Sequence, residues 1–243
     1  MDSFNTDTVG KRLFTYKVAS DGGSAPNPFG NVCTLAICKP AIRRVAKPGA
    51  IVVGLDTGRT NEYRVVYCME VSKVLSWQKY IEACHAAASA RNVKKGQANL
   101  GIKVPKNAKD PGDCIWKSAN AYSEVLPSWS EHYGQEAYQT DVTNGQNVLL
   151  GQQFWYFGDG ARFKVELDAD LRPIVPGRGH KSNANAPFFD RFVECFNRKL
   201  EALGISHCGV HGAPKFGPGF TDDSQRAKCR AAERESDLIG EED

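Results

Sequence analysis

Two helical patterns set the plan of this chain, because each closes a group of strand candidates instead of alternating with single strands. The first covers residues 74–90, where Trp77, Tyr80, Ile81, Cys84 and Ala88 recur at three- and four-residue spacing and so share one face. The second starts near Pro187, a residue suited to a helix's first turn. Phe188, Phe189, Phe192, Val193, Phe196, Leu200 and Leu203 form its apolar face, and Gly204 is placed to cap it. Strands are predicted at 12–19, 32–38, 50–55 and 64–71 before the first helix. Two more, 147–157 and 162–167, flank the turn at Gly158, Asp159 and Gly160, and a short one is expected at 205–210. This order predicts an α+β domain, with a mostly antiparallel sheet or partly closed barrel and two main flanking helices, over a doubly wound sheet.

At 243 residues the chain fits a single large domain. The reading is a flexible N-terminal tail at 1–11, one domain at 12–220, and a charged helix or tail at 221–243. No stretch reaches the roughly 18 apolar residues that span a bilayer, and residues 1–11 lack the apolar core of a signal peptide. Eight cysteines in a chain of this length do not read as a secreted disulfide framework. The expectation is reduced thiols, a cytoplasmic location and no membrane partner. A formal net charge of +3 is too small to imply a polyanion partner without local clustering.

The polar chemistry concentrates in loops. The segment from Asp21 to Gly30 carries Asp21 and Asn27 among glycines and prolines, and leads through Cys33 and Cys38 to Lys39, Arg43 and Arg44. Glycines admit a close backbone approach to a ligand, and Lys39 and Arg43 offer cations for phosphate or carboxylate. The loop matches neither a Walker motif nor a dinucleotide fingerprint, so the cofactor stays undefined. Cys33 and Cys38, on opposite faces of a regular strand, miss the usual zinc spacing. His207 and His211 would lie about 13 Å apart on a strand. No metal site is expected. His132 and His180, in polar loops, are candidates for general acid–base work or phosphate contact, and Asp113 is a carboxylate of the same kind. Residues 92–139 form a long irregular segment with Lys94, Lys95, Lys103, Lys106 and Lys109, followed by Trp116, Tyr122, Trp129 and Tyr133. Cations with exposed rings would suit a nucleic acid, and a solvated loop with its rings turned inward is equally compatible.

Taken in order, these stretches resemble the nucleotide-modification-associated domain of type two. The resemblance is carried by Asp21 with Gly22 and Gly23, Ala25 to Phe29, Cys33 to Ala36, Cys38 to Pro40 and Ile42 with Arg43. It continues through Gly49 to Gly54, Val66 to Val71, Gly112 with Asp113 and Ile115, Ser130 with His132, and Val148 to Gly158. It ends with Gly179 and His180 and with Gly209 to Pro214. Ala50 and Cys114 stand where the pattern usually has an aspartate and an asparagine. The strand pair between Gly49 and Val71 is also similar to that of PUA-like barrels, which read modified nucleotides.

The resemblance implies a component of a system that makes, processes or recognises modified bases, with a nucleic acid or nucleotide as partner. Three roles stay open at this point. An enzyme would bring Asp21, Asp113, His132 and His180 to one pocket as catalytic groups, with Asn27, Lys39 and Arg43 holding the substrate. A non-catalytic reader would stack a flipped base on Trp116 or Trp129. A scaffold would need neither set.

Overall fold

The computed structural model describes residues 3–4, 11–58, 60–90, 94, 96–107, 110–123, 132 and 134–216. Trp129 and the segment 221–243 lie outside them. The strands are β1 (Leu13–Lys17), β2 (Cys33–Leu35), β3 (Ile51–Leu55), β4 (Val65–Glu70), β5 (Lys73–Ser76), β6 (Asn147–Gly151), β7 (Phe154–Tyr156), β8 (His180–Lys181) and β9 (Gly209–Val210). The α-helices are α1 (Pro40–Val45), α2 (Trp77–Ser89), α3 (Gly134–Tyr138) and α4 (Phe189–Ala202).

A larger sheet has the order β8-β1-β3-β4-β7-β9, and a smaller one the order β2-β6-β5. The β1–β3 and β7–β9 pairs are parallel and the rest antiparallel. The α+β class expected from the sequence is therefore the observed one. Both sheets are open among the described residues, so no barrel closes.

Strand periodicity sets the layering. Ile51, Val53 and Leu55 of β3 point into one core with Phe189, Phe192, Phe196 and Leu200 of α4. Val52, with Phe14 and Tyr16 of β1, points the other way, onto Cys33, Leu35, Ile42 and Leu149 of the smaller sheet and α1. A strand buried on both faces reads as a continuous apolar run, which is how β3 reads. The smaller sheet is covered in turn by Trp77, Tyr80, Ile81 and Cys84 of α2. Phe4, in the stretch expected to be a tail, packs against Trp155 and Phe196.

Three sequence expectations change. Residues 147–157 are not one strand but two, β6 and β7, which belong to different sheets. Residues 162–167 contribute only an isolated bridge between Arg64 and Glu166. The irregular segment 92–139 contains a 3-10 turn at Leu100–Lys103 and α3, and a π-helical turn at Gln139–Asn144 follows it.

Candidate functional site

The site lies where β2 leaves the smaller sheet and the chain turns into α1. Cys38 and Lys39 both take left-handed backbone conformations, at φ 60° and φ 47°. Non-glycine residues held there cost about 1–3 kcal/mol each and persist only where the surroundings enforce them. Pro40 then opens α1, its fixed φ suiting a helix's first position. The result is a tight strand-to-helix turn with the half-buried Cys38 at its apex.

Both peptide groups of Cys38 are held by side chains. Its N–H donates to Asp141 Oδ1 at 2.9 Å, and its carbonyl accepts from Arg43 Nε at 2.6 Å. The thiol faces His132, with Sγ 3.6 Å from Nε2. His132 Nδ1 stands 2.8 Å from Asp141 Oδ2, and Trp116 Nε1 donates to the same oxygen at 3.3 Å. Cys38, His132 and Asp141 thus form a linear relay of thiol, imidazole and carboxylate, the arrangement that activates a nucleophile on many folds.

Asp141 has no exposed surface. Burial alone pushes its carboxyl up, but His132, the Arg43 guanidinium at 3.9 Å and the Cys38 N–H together hold it below the ordinary carboxylate range. An ionised Asp141 accepts from Nδ1, which makes that nitrogen the donor and turns the Nε2 lone pair towards the thiol. The π-helical turn leaves the Asp141 carbonyl to accept from Trp77 Nε1 at 2.6 Å and from Arg43 at 2.8 Å. Such turns recur at functional positions.

The wall beside the thiol comes from β1. Tyr16 donates to or accepts from the Tyr67 hydroxyl at 3.0 Å, and the Lys39 ammonium stands 5.2 Å from the centre of the Tyr16 ring. Burial keeps the Tyr16 hydroxyl neutral, and the nearby Cys38, Cys33 and Asp21 reinforce this against the Tyr67 hydrogen bond. Asp21 accepts from the Tyr156 hydroxyl at 2.5 Å. Burial raises its carboxyl despite that bond and the backbone N–H groups of Lys215 and Gly23. His180 is buried and stands opposite Tyr16 in the β1–β8 ladder.

The residues singled out from the sequence therefore fall into two sets. Lys39, Arg43, His132 and Trp116 gather around Cys38 and Asp141, while Asp21 neighbours Tyr16 and Tyr156, and His180 pairs with Tyr16 across the β1–β8 ladder. Arg43 and Trp116 are fully buried, their donors spent on the turn itself. Asn27 and Asp113 belong to a second buried network. Asp113 accepts from Thr34 Oγ1 at 2.5 Å and from the Tyr80 hydroxyl at 2.6 Å. Asn27 and Val32 carbonyls, with Asn27 Oδ1, receive the Lys103 ammonium at 2.7–2.9 Å. Cys38 and Asp141 were not among the sequence candidates for catalysis. The run of Cys38, Lys39 and Pro40 after a buried strand is the signal that could have located the turn.

His207 and His211 do meet, with ring centroids 5.1 Å apart, because Gly209 at φ 129° turns the chain between them. Among the described residues no three His, Cys, Asp or Glu side chains gather as metal ligands would. No helix among them is long and apolar enough to cross a membrane.

The sequence model of the nucleotide modification associated domain 2 family matches residues 10–214. The chain belongs to that family. The match spans every strand and helix of the fold, including the turn at Cys38, His132 and Asp141. No curated protein and no solved structure shows a significant match to the chain. The family description ties the chain to nucleotide modification.

Proposed function

We propose that this chain is a thiol-dependent processing enzyme of a nucleotide-modification system, acting on a modified base or nucleotide. Cys38 is the nucleophile, His132 the general base and acid, and Asp141 the group that orients the imidazole. The observation that carries the reading is the relay itself: a half-buried thiol 3.6 Å from an imidazole whose other nitrogen is 2.8 Å from a buried carboxylate. A protein that only reads modified bases has no need of such a thiol.

The relay suits attack on an acyl carbon attached to a base. His132 takes the thiol proton as the C–S bond forms. It returns that proton to the departing amine as the C–N bond breaks, leaving a thioester. Water then hydrolyses the thioester, with His132 again moving the proton, and releases a carboxylic acid and the free thiol. Lys39, half-buried and beside the thiol in sequence, is the cation for the substrate's phosphate. Its ammonium stands over the Tyr16 ring, an attraction of about 0.5–2 kcal/mol. Asp21, whose charge acts on Tyr16, and His180, its ladder partner, would bound the substrate on the Tyr16 side.

The test is intact-mass spectrometry of the full chain mixed with N-acylated cytidine and adenosine monophosphates, each beside its unmodified nucleotide. A thioester adduct on wild type that is absent from Cys38→Ala, with loss of the acyl group from the nucleotide, supports the enzyme reading. Tight, selective binding of the modified nucleotide, with no adduct and no product, would replace it with the reader.

A further inference from the structure

Arg43 reads from the sequence as a phosphate ligand, yet its guanidinium points inward and touches three separate pieces of chain. Nε donates to the Cys38 carbonyl at 2.6 Å, one terminal nitrogen to the Asn147 carbonyl at 2.8 Å, and the other to the Asp141 carbonyl at 2.8 Å. The last also stands 3.9 Å from the Asp141 carboxylate. One rigid fork therefore joins the nucleophile's turn, the π-helical turn that carries the orienting carboxylate, and the start of β6. A lysine, with a compact charge on a flexible stem, cannot reproduce that span.

Gly145 bears on the same group. Its backbone, at φ −74° and ψ −33°, is ordinary helical geometry that any residue adopts. A Cβ built there, however, would overlap the guanidinium of Arg43. The absence of a side chain at 145 is thus explained by the space Arg43 needs and not by backbone conformation.

We infer that Arg43 is the positioning residue of the thiol site, holding Cys38 in its left-handed turn and in register with Asp141, and that Gly145 is the vacancy in which its guanidinium sits. The inference rests on the thiol reading of the site. It assigns Arg43 no contact with substrate.

The test is alkylation of the native full chain by iodoacetamide across a pH series, with each cysteine quantified by peptide mass spectrometry. Arg43→Lys and Gly145→Ala are expected to slow Cys38 alkylation at pH 7 by about tenfold and to move its inflection to higher pH, as for a thiol that has lost its activating partner. Gly145→Ala removes no functional group, so a shared phenotype points to the guanidinium's position. Half-buried Cys208 and buried Cys33 are internal references whose labelling should not change. If Cys33 became labelled as fast as Cys38, Arg43 would be holding the fold at large, and the inference would fail. His132→Ala and Asp141→Asn in the same assay separate the two levels. Should they leave the Cys38 profile unchanged, the thiol reading itself is overturned. Should they shift it while both Arg43→Lys and Gly145→Ala do not, only the role of Arg43 is.

Discussion

Two aspartates with no exposed surface, Asp141 and Asp113, sit in one chain and end in opposite states. Burial is the largest influence on both and pushes both carboxyls up. At Asp141 an imidazole, a guanidinium and a backbone N–H overcome it, and the carboxyl stays below its ordinary range. At Asp113 the nearby Lys103 and the hydroxyls of Thr34 and Tyr80 do not, and the carboxyl stays raised. The difference also extends outward. Asp141 connects through His132 to a half-buried thiol at a strained turn, whereas Thr34, Tyr80 and Lys103 around Asp113 are themselves fully buried. A buried carboxylate is therefore no mark of a site by itself. Its connection to a reactive group near the surface is what separates chemistry from scaffolding.

The sharpest break between the two centres should appear in turnover. His132→Ala removes the imidazole that faces the Cys38 thiol at 3.6 Å. It is expected to lower the rate of acyl release by about 10²–10⁴-fold. Lys103→Met should leave that rate unchanged once corrected for folded protein. Equal losses in the two variants would erase the distinction.

Stability should separate the centres next. Asp141→Asn leaves Arg43 buried without its carboxylate and is expected to cost about 3–5 kcal/mol at neutral pH, read by urea unfolding. Because the folded-state carboxyl is depressed, this contribution is present above the ordinary aspartate range. It is lost as pH falls through the lower folded value, so the gap between wild type and Asp141→Asn should close below about pH 4. A gap that persisted in acid would mean that the asparagine disturbs packing and not charge.

Asp113→Asn should have a much smaller effect, within about 1 kcal/mol at pH 7, because the Thr34 hydroxyl can turn to accept from the amide. Its dependence on pH has a definite sign. A raised folded carboxyl binds its proton more tightly than the unfolded chain does, so wild type loses stability as pH climbs from about 4 through the raised value. Asp113→Asn should abolish that slope. The Lys103 ammonium, which burial lowers to about 8 against the pull of Asp113, works in the opposite sense at higher pH. Between about pH 8 and 10 the unfolded chain holds the extra proton, so wild type should gain stability with pH there, and Lys103→Met should not.

The smallest effect is expected at Lys39→Ala. Exposed to solvent in part, it should raise KM for phosphate-bearing substrates several-fold and flatten their salt dependence, with kcat little changed. An unaltered KM would leave the phosphate without a partner on this side of the thiol.

Much of the scaffold was legible before folding. The face of α2 through Trp77, Tyr80, Ile81 and Cys84, and that of α4 through Phe189 to Leu200, follow from helical periodicity, and β3 follows from its apolar run. These signals are local, since the residues that make them are neighbours in the element they define. His132 and Lys39 were candidates by residue type, a titratable imidazole and a cation in loops, and the fold sets His132 beside the Cys38 thiol. Asp113 could be picked out on similar grounds, and it lies in the sealed network instead. Nothing nearby in sequence distinguishes it from Asp141. The chain's own order of residues determined the α+β class, the two covering helices, the buried strands and the family. Tertiary structure alone decided which acid meets which base: Cys38 and Asp141 are 103 positions apart, and Arg43 bonds across 98 and 104 to reach them. Periodicity reports on the few residues of a turn or strand. A relay of side chains is set by where distant segments cross, and that is fixed only when the sheets pack.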